Sequence, residues 1–188
     1  LKLNDFLHYW YHRKSHTWNW LWKLHRPHHI AREMGILVSY RNAFCYYILM
    51  PNIWWLGGVT FLGLHQQVIF AVIIKQIIVI GAHSYLRWDQ YLYDKKIFHP
   101  LAWLIERLIS TPSTHFSHHG QSSDDGVSNP NGNFGNMLFI WDLIFGTSLI
   151  TRKYPQKFGI PGDPNDSWQS HLYYPFIKSK RGNSEIST

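Results

Sequence analysis

The chain has 188 residues, with 18 Lys and Arg against 11 Asp and Glu, 13 histidines and one cysteine. The length suits one domain with a sizeable core, and the lone Cys45 excludes a disulfide framework and any Cys-rich zinc or iron–sulfur site. A net charge of +7 with ten Trp fits a nucleic-acid binder or a membrane-surface protein, but long apolar runs without any dense Lys/Arg helix favour a membrane and no nucleic acid.

The chain starts at Leu1 rather than Met, so an N-terminally truncated protein is expected. From Asn4 to about Ile30 the pattern predicts helix, with an aromatic side carrying Trp10, Trp18, Trp20 and Trp22. Pro27 should kink that helix or begin a new one. Residues 31–42 read as a connector or interfacial turn. Residues 43–64 follow, 22 positions without a charge, enough for a membrane span, which needs ~20. Pro51-Asn52 and Gly57-Gly58 are places where it could divide into half-helices. A second membrane helix is expected over about 66–88, although Lys75 and Gln76 sit in the middle of its apolar run. A mid-bilayer lysine costs ~2.5–3.5 kcal/mol, so this helix should hug an interface or pack inside the protein. The alternative for both runs is a buried hairpin of a soluble protein.

Pro100–Ser110 predicts a further helix, with Leu101, Leu104, Ile105, Leu108 and Ile109 on one face. Such a stripe is either core or a face lying in a lipid interface. Residues 120–136 are rich in turn formers and read as loop. The run Met137–Gly146 is too short to choose between helix and strand. The expected fold is all-α: one or more membrane hairpins, a histidine-rich helical cap and a loop-rich C-terminal part. The boundary falls near residue 151, and 152–188 form an extension, its last ten or so residues disordered.

The histidines carry the chemistry. His-x-x-His-His occurs twice, at His25, His28, His29 and at His115, His118, His119, with the pair His12 and His16 upstream. Including His8, nine of the 13 histidines fall within 27 residues (8–29 and 115–119). Neutral imidazole is a common metal ligand, so coordination is the direct explanation. On a helix, residues three and four apart share a face. At ~100° per residue, His28 and His29 flank His25, and one turn can serve two adjacent ions. The i,i+4 pair His12/His16 can converge on one ion. Eight imidazoles exceed what one ion takes, since a catalytic zinc uses three protein ligands. Two ions fit, and ligand type alone leaves iron, zinc, copper and nickel open.

His83, at the end of the second apolar run, is either a ligand or a hydrogen-bonded core residue. His8 could be a ligand or support one, and Asp5, a turn earlier, could orient a ligating imidazole. His65, His99 and His171 lack partners at ligand spacing and read as ordinary residues. A zinc hydrolase needs a carboxylate base near its ion, yet there is no His-Glu-x-x-His, and Glu33 and Glu106 lie outside the histidine boxes. A metal transporter or store remains an alternative, though it should place its ligands inside several full spans. Haem would leave most of the cluster unexplained.

Four segments together, DFLHYWYHRKSH (5–16), LWKLHRPHH (21–29), TPSTHFSHHG (111–120) and NFGNMLFIWDLIFGT (133–147), resemble the fatty acid hydroxylase/sterol desaturase superfamily, and the bacterial-type sterol desaturases within it. GAHSYLR (81–87) resembles that family's extra histidine, which adds His83 to the ligands, and Asp142 of the Trp-Asp-x-x-Phe-Gly-Thr ending becomes a candidate support for them. The resemblance covers about residues 4–151. It implies an integral membrane enzyme, its cap on the cytoplasmic side, holding two iron ions (zinc as an isolated form). It also implies O2, a lipid substrate that is hydroxylated or desaturated, and electrons from a cytochrome b5- or ferredoxin-like donor with a reductase. Two departures stand out. His8 replaces a tyrosine common in relatives, and the upstream membrane helices are not in this sequence. Val127–Asp142 could cover the site as a flap.

Overall fold

The computed structural model describes residues 2–163 and 166–178. The tail expected to be disordered lies outside the described residues, apart from 178 itself. Among the described residues the regular structure is helical, and the only extended pairing is one isolated bridge between Gly120 and Phe158.

The N-terminal helix is two helices, α1 (Lys2–Ser15) and α2 (Asn19–His29). The break falls at residues 16–18, where Trp18 is extended, and not at Pro27, which lies inside α2. Proline removes one ladder hydrogen bond, and α2 ends two residues later, so little helix remains to be disrupted. A 3-10 turn follows at Ile36–Tyr40.

The expected span over 43–64 is not one helix. It is α3 (Phe44–Ile48) and α4 (Pro51–Phe61), divided at Pro51, which takes the first-turn position of α4. Neither is long enough to cross a bilayer. Gly57 and Gly58, the other expected break, stay within α4, because glycine weakens a helix by ~1 kcal/mol without forbidding it. The second run is α5 (His65–His83), the one described helix long and apolar enough to cross a membrane. Its 19 residues rise ~28 Å. It stops at His83 rather than near 88, and the Trp88 indole N–H donates to the Gly81 carbonyl (3.1 Å), satisfying an acceptor of its last turn.

Lys75 does not draw α5 into the interior. Only 11% of its apolar window is buried. Lys75 turns inward, Nζ 2.6 Å from His8 Nδ1 and 4.0 Å from Asp5 Oδ1, and Val79, Ala82 and His83 are the buried residues of the helix. Ile69, Phe70, Ile73 and Ile77 face outward, as do Trp54 and Phe61 of α4.

Two short helices, α6 (Gln90–Asp94) and α7 (His99–Leu108), lead to α8 (Pro112–His119). The stripe of α7 is not core: Leu101, Leu104 and Leu108 are exposed. In α8 every residue is buried, and a capping box between Thr111 and Thr114 fixes its start. The short α9 (Ile140–Ile144) settles the Met137–Gly146 run as partly helical, and α10 (Trp168–Leu172) closes the described chain. In packing, α1 meets α2 and α4, while α5 lies against α4 and α8. Tyr11, Leu21, Leu24, Ala43, Tyr46 and Met50 form a core joining α1, α2 and α3. Buried Glu106 receives Arg152 through two hydrogen bonds (2.9 and 2.7 Å), which ties the C-terminal segment to α7.

Candidate metal centre

Four helices and their ends deliver nine imidazoles to one place: His12 from α1 and His16 from the turn just after it, the first triplet from α2, His83 from the end of α5 and the second triplet from α8. All nine are buried. They separate into two sets, His12, His16, His25, His29 and His118 in one and His28, His83, His115 and His119 in the other. Within each set one nitrogen per residue lies within 4.8 Å of the others. The two triplets interlock. α2 gives two rings to the first set and one to the second, and α8 does the reverse. The sets abut, since the His29 and His119 rings are 4.5 Å apart.

The outer nitrogens show which tautomer is held. Nδ1 of His12, His28, His83 and His118 meets the carbonyls of Phe134, Val38, Val79 and Gly132 at 2.7, 2.7, 2.8 and 2.7 Å. Nδ1 of His25 meets Asn42 Oδ1 at 2.7 Å. A carbonyl only accepts, so these Nδ1 atoms carry the proton and Nε2 is left with its lone pair. Nε2 atoms nevertheless crowd together: His12–His118 at 3.1 Å, His25–His29 at 3.2 Å and His83–His115 at 2.8 Å. In His12 and His118 both Nδ1 atoms are so held, and their facing Nε2 atoms are two lone pairs that make no hydrogen bond. Nitrogens bound side by side on one ion at ~2.1 Å would stand about 3 Å apart, which is the spacing here. Nε2 of His16 is buried with no protein partner. The donor set fits two metal ions.

Burial is the main cause that holds His16, His25, His28, His29, His115, His118 and His119 well below the ordinary imidazole range, and charge repulsion from neighbouring rings adds to it. His12 is pushed down to about 4 by burial. The rings are therefore neutral at pH 7, as coordination requires.

The candidate supports behave differently from one another. His8 joins neither set, and its Nδ1 is taken by Lys75. Asp5 does not orient an imidazole. Its Oδ2 accepts from the Leu138 N–H (3.1 Å) and the Trp141 indole (3.0 Å), because α1 points it at the 138–141 turn and not along its own axis toward His12. Asp142 accepts from Phe134 N–H (2.8 Å), Gly135 N–H (2.6 Å) and Thr147 Oγ1 (2.6 Å), and so holds the loop whose Phe134 carbonyl orients His12. Burial raises its carboxyl to about 6 against those hydrogen bonds. His65 is exposed, whereas His99 Nε2 binds the Tyr93 carbonyl at 2.9 Å, away from the centre. Glu106 is engaged by Arg152 and Arg107, and neither set contains a carboxylate.

Several contributors carry no sequence signal. Asp89, fully buried, accepts from the Ser113 N–H (2.7 Å) at the start of α8 and from the Tyr154 hydroxyl (2.5 Å). It thereby fixes the helix that bears three imidazoles. The carbonyls of Val38, Gly132 and Phe134 are backbone atoms that any residue could supply. Gly132 does have a requirement of its own: a methyl group there would collide with the Thr147 carbonyl and the Asn129 amide. Gly132→Ala should therefore displace the carbonyl behind His118 and weaken metal retention by about 10–100-fold, the usual cost of losing such a support, measured by chelator competition. Unchanged retention would show that this carbonyl does not hold the ring.

A cavity of about 300 Å³ lies between α1, α4, α5 and the 3-10 turn. His12, His25, His28 and His83 reach it at one side, and Tyr46, Met50, Ile53, Leu56, Val72 and Val79 give it a mainly apolar wall. Both histidine sets thus border an apolar chamber.

These features define a helical protein with two buried, adjoining all-histidine sets beside an apolar cavity. The profile of the fatty acid hydroxylase family matches residues 1–147, and the chain belongs to that family. It is 27% identical over 161 residues to an alkylglycerol monooxygenase of Xenopus tropicalis, covering 83% of this chain and 31% of that protein. To the human alkylglycerol monooxygenase it is 26% identical over 143 residues, 76% of this chain and 28% of that protein. To an ornithine lipid hydroxylase of Rhizobium tropici it is 26% identical over 202 residues, 99% of this chain and 51% of that protein. The chain therefore spans roughly a third to a half of the length of these curated relatives. No solved structure matches it.

Proposed function

We propose that this chain is the catalytic part of a membrane-bound lipid hydroxylase that takes O2 and electrons at two iron ions. The observation that carries the reading is the pair of abutting all-histidine sets bordering an apolar cavity. His12, His16, His25, His29 and His118 would hold one ion, and His28, His83, His115 and His119 the other. Iron bound there supplies the redox chemistry that activates O2 toward an unactivated C–H bond. The protein's part is placement. Carbonyls and Asn42 fix the imidazole tautomers, burial keeps the rings neutral, and the apolar wall excludes water and aligns a hydrocarbon segment beside the centre.

Hydroxylation is favoured over desaturation because the relatives bear the names alkylglycerol monooxygenase and ornithine lipid hydroxylase. Exposed apolar residues of α4, α5 and α7 support a membrane setting, with α5 crossing and α7 lying in the interface. The histidine centre then faces the cytoplasm, where a cytochrome b5- or ferredoxin-like protein with its reductase delivers electrons.

The test is metal analysis of anaerobically purified protein, including any segment that precedes Leu1 in the native chain, followed by O2 uptake with lipid and reductant. About two irons per chain and lipid-dependent uptake are expected. Zinc as the native metal with no reductant-dependent uptake would overturn the reading.

A further inference from the structure

The histidine centre has a second approach, which shares no lining residue with the apolar cavity. His12, His25, His28 and His83 border that cavity, whereas His16, His29 and His119 border a separate niche of about 50 Å³. The niche therefore touches both histidine sets. Its other walls are Trp22, Gln121 and Asn131, with residues 159–161 across from them. Gln121, Gly159, Ile160 and Pro161 also line a polar basin of about 660 Å³ whose Gln156, Lys157 and Pro161 are exposed. The niche is thus the inner end of a path that begins at the surface.

That path is made for water. Arg32, Arg41 and Lys157 line the basin without an ion pair among the described residues, while Asp163 and Asp166 are engaged by Arg26. The side-chain amides of Gln121 and Asn131 have no hydrogen bond within the described protein. His16, whose Nε2 is buried without a protein partner, belongs to the wall of the niche. At ~10–15 Å³ of free space for each, the niche has room for a few water molecules.

The outer wall is fastened by a short pairing. Gly120 and Phe158 form the isolated bridge, the Gln121 N–H donates to the Lys157 carbonyl (3.0 Å), and the Phe158 ring stands edge-on to Phe116 of α8. Gly159, at a φ of +88°, turns the chain in a conformation that side chains disfavour. This strap lies beyond residue 147, where the family match ends.

Hydroxylating a C–H bond with O2 consumes two electrons and two protons, places one oxygen atom in the bond and releases the other as water. A lipid lying in the apolar cavity closes that side to water and protons. We propose that the niche is the water port of the histidine centre: protons arrive and product water leaves through it, and small polar ligands take this route while lipid takes the other. The role rests on the hydroxylase reading above, which supplies the O2 and the electrons, but the route itself does not.

The experiment is stopped-flow binding of azide to the cobalt(II)-loaded protein in phosphatidylcholine nanodiscs, followed by the visible absorption of the metal. Azide is a small anion that the basic basin attracts, so binding should slow several-fold as salt screens those cations. Gln121→Trp should slow it about tenfold or more, because the larger side chain plugs a niche of about 50 Å³. Val72→Trp, on the exposed edge of the apolar cavity, should leave the rate unchanged. Slowing by Val72→Trp and not by Gln121→Trp would overturn the port. So would a rate indifferent to salt, or no azide complex at all, in the unaltered protein, even if Gln121→Trp fails to fold. Lipid-dependent O2 uptake with azide entering from the apolar side would sink the port and leave the hydroxylase reading standing. Salt-sensitive entry past Gln121 without any O2 uptake would sink the hydroxylase and leave the route.

Discussion

His115→Ala is expected to strip metal from one position, leaving about one ion per chain, and to abolish turnover. His115 belongs to the smaller set, so its loss leaves three imidazoles, His28, His83 and His119. It also removes the ring whose Nε2 lies 2.8 Å from His83 and 3.2 Å from His119. Deleting a ligand should cost more than the ~10–100-fold lost with an outer support. His12→Ala is the internal control. It leaves four of five imidazoles in the larger set, so that position should keep most of its metal while activity falls. Metal content per chain after chelator challenge, with circular dichroism to confirm the fold, separates the two variants. Equal metal loss in both would refute the division into sets.

Acidification gives the second large effect. The metal-free protein should unfold cooperatively as pH falls from about 6.5 toward 4. Imidazoles whose folded pKa lies below the unfolded value bind fewer protons folded than unfolded in that window. Their contribution is present above 6.5 and is lost as pH falls through the folded value. For His12, lowered to about 4, this alone is on the order of 3 kcal/mol. Seven further rings, His16 just after α1 and the triplets of α2 and α8, shift the same way. Asp142 opposes them. Raised to about 6, it contributes stability below the ordinary carboxyl value that is lost as pH rises through 6, and Asp5 is shifted in the same direction. Two carboxyls do not offset eight imidazoles when total stability is ~5–15 kcal/mol. Tryptophan fluorescence against pH should show the transition, and metal loading should move it to lower pH because protons compete for the ligands. A thermal midpoint unchanged between pH 7 and 4.5 would contradict this account.

The histidine sets could be read from the chain because ligand spacing is local. Three and four residues on a helix decide which rings share a face, and the division of each triplet between the two sets follows from that geometry. Long-range partners gave no such signal. Lys75 looked like an expense inside an apolar run, because nothing in its neighbourhood shows that Asp5 and His8 meet it from α1. Helix spacing puts Asp5 where it could orient an imidazole, whereas its hydrogen bonds go to residues more than 130 positions away. Proline marked the α3–α4 boundary correctly, because it forbids a hydrogen bond. The glycine pair in α4 only weakens helix, and its neighbours decided the outcome.

The unequal make-up of the two sets bears on how the protein is made. Four of the five imidazoles of the larger set lie between His12 and His29, whereas the smaller set has only His28 until His83 is added and is complete only at His119. As the chain leaves the ribosome, one seat for metal is nearly finished while the other scarcely exists. If metal is taken up as the chain emerges, the larger set is the one that can fill first, and a chain halted between residues 83 and 115 should leave the smaller set empty.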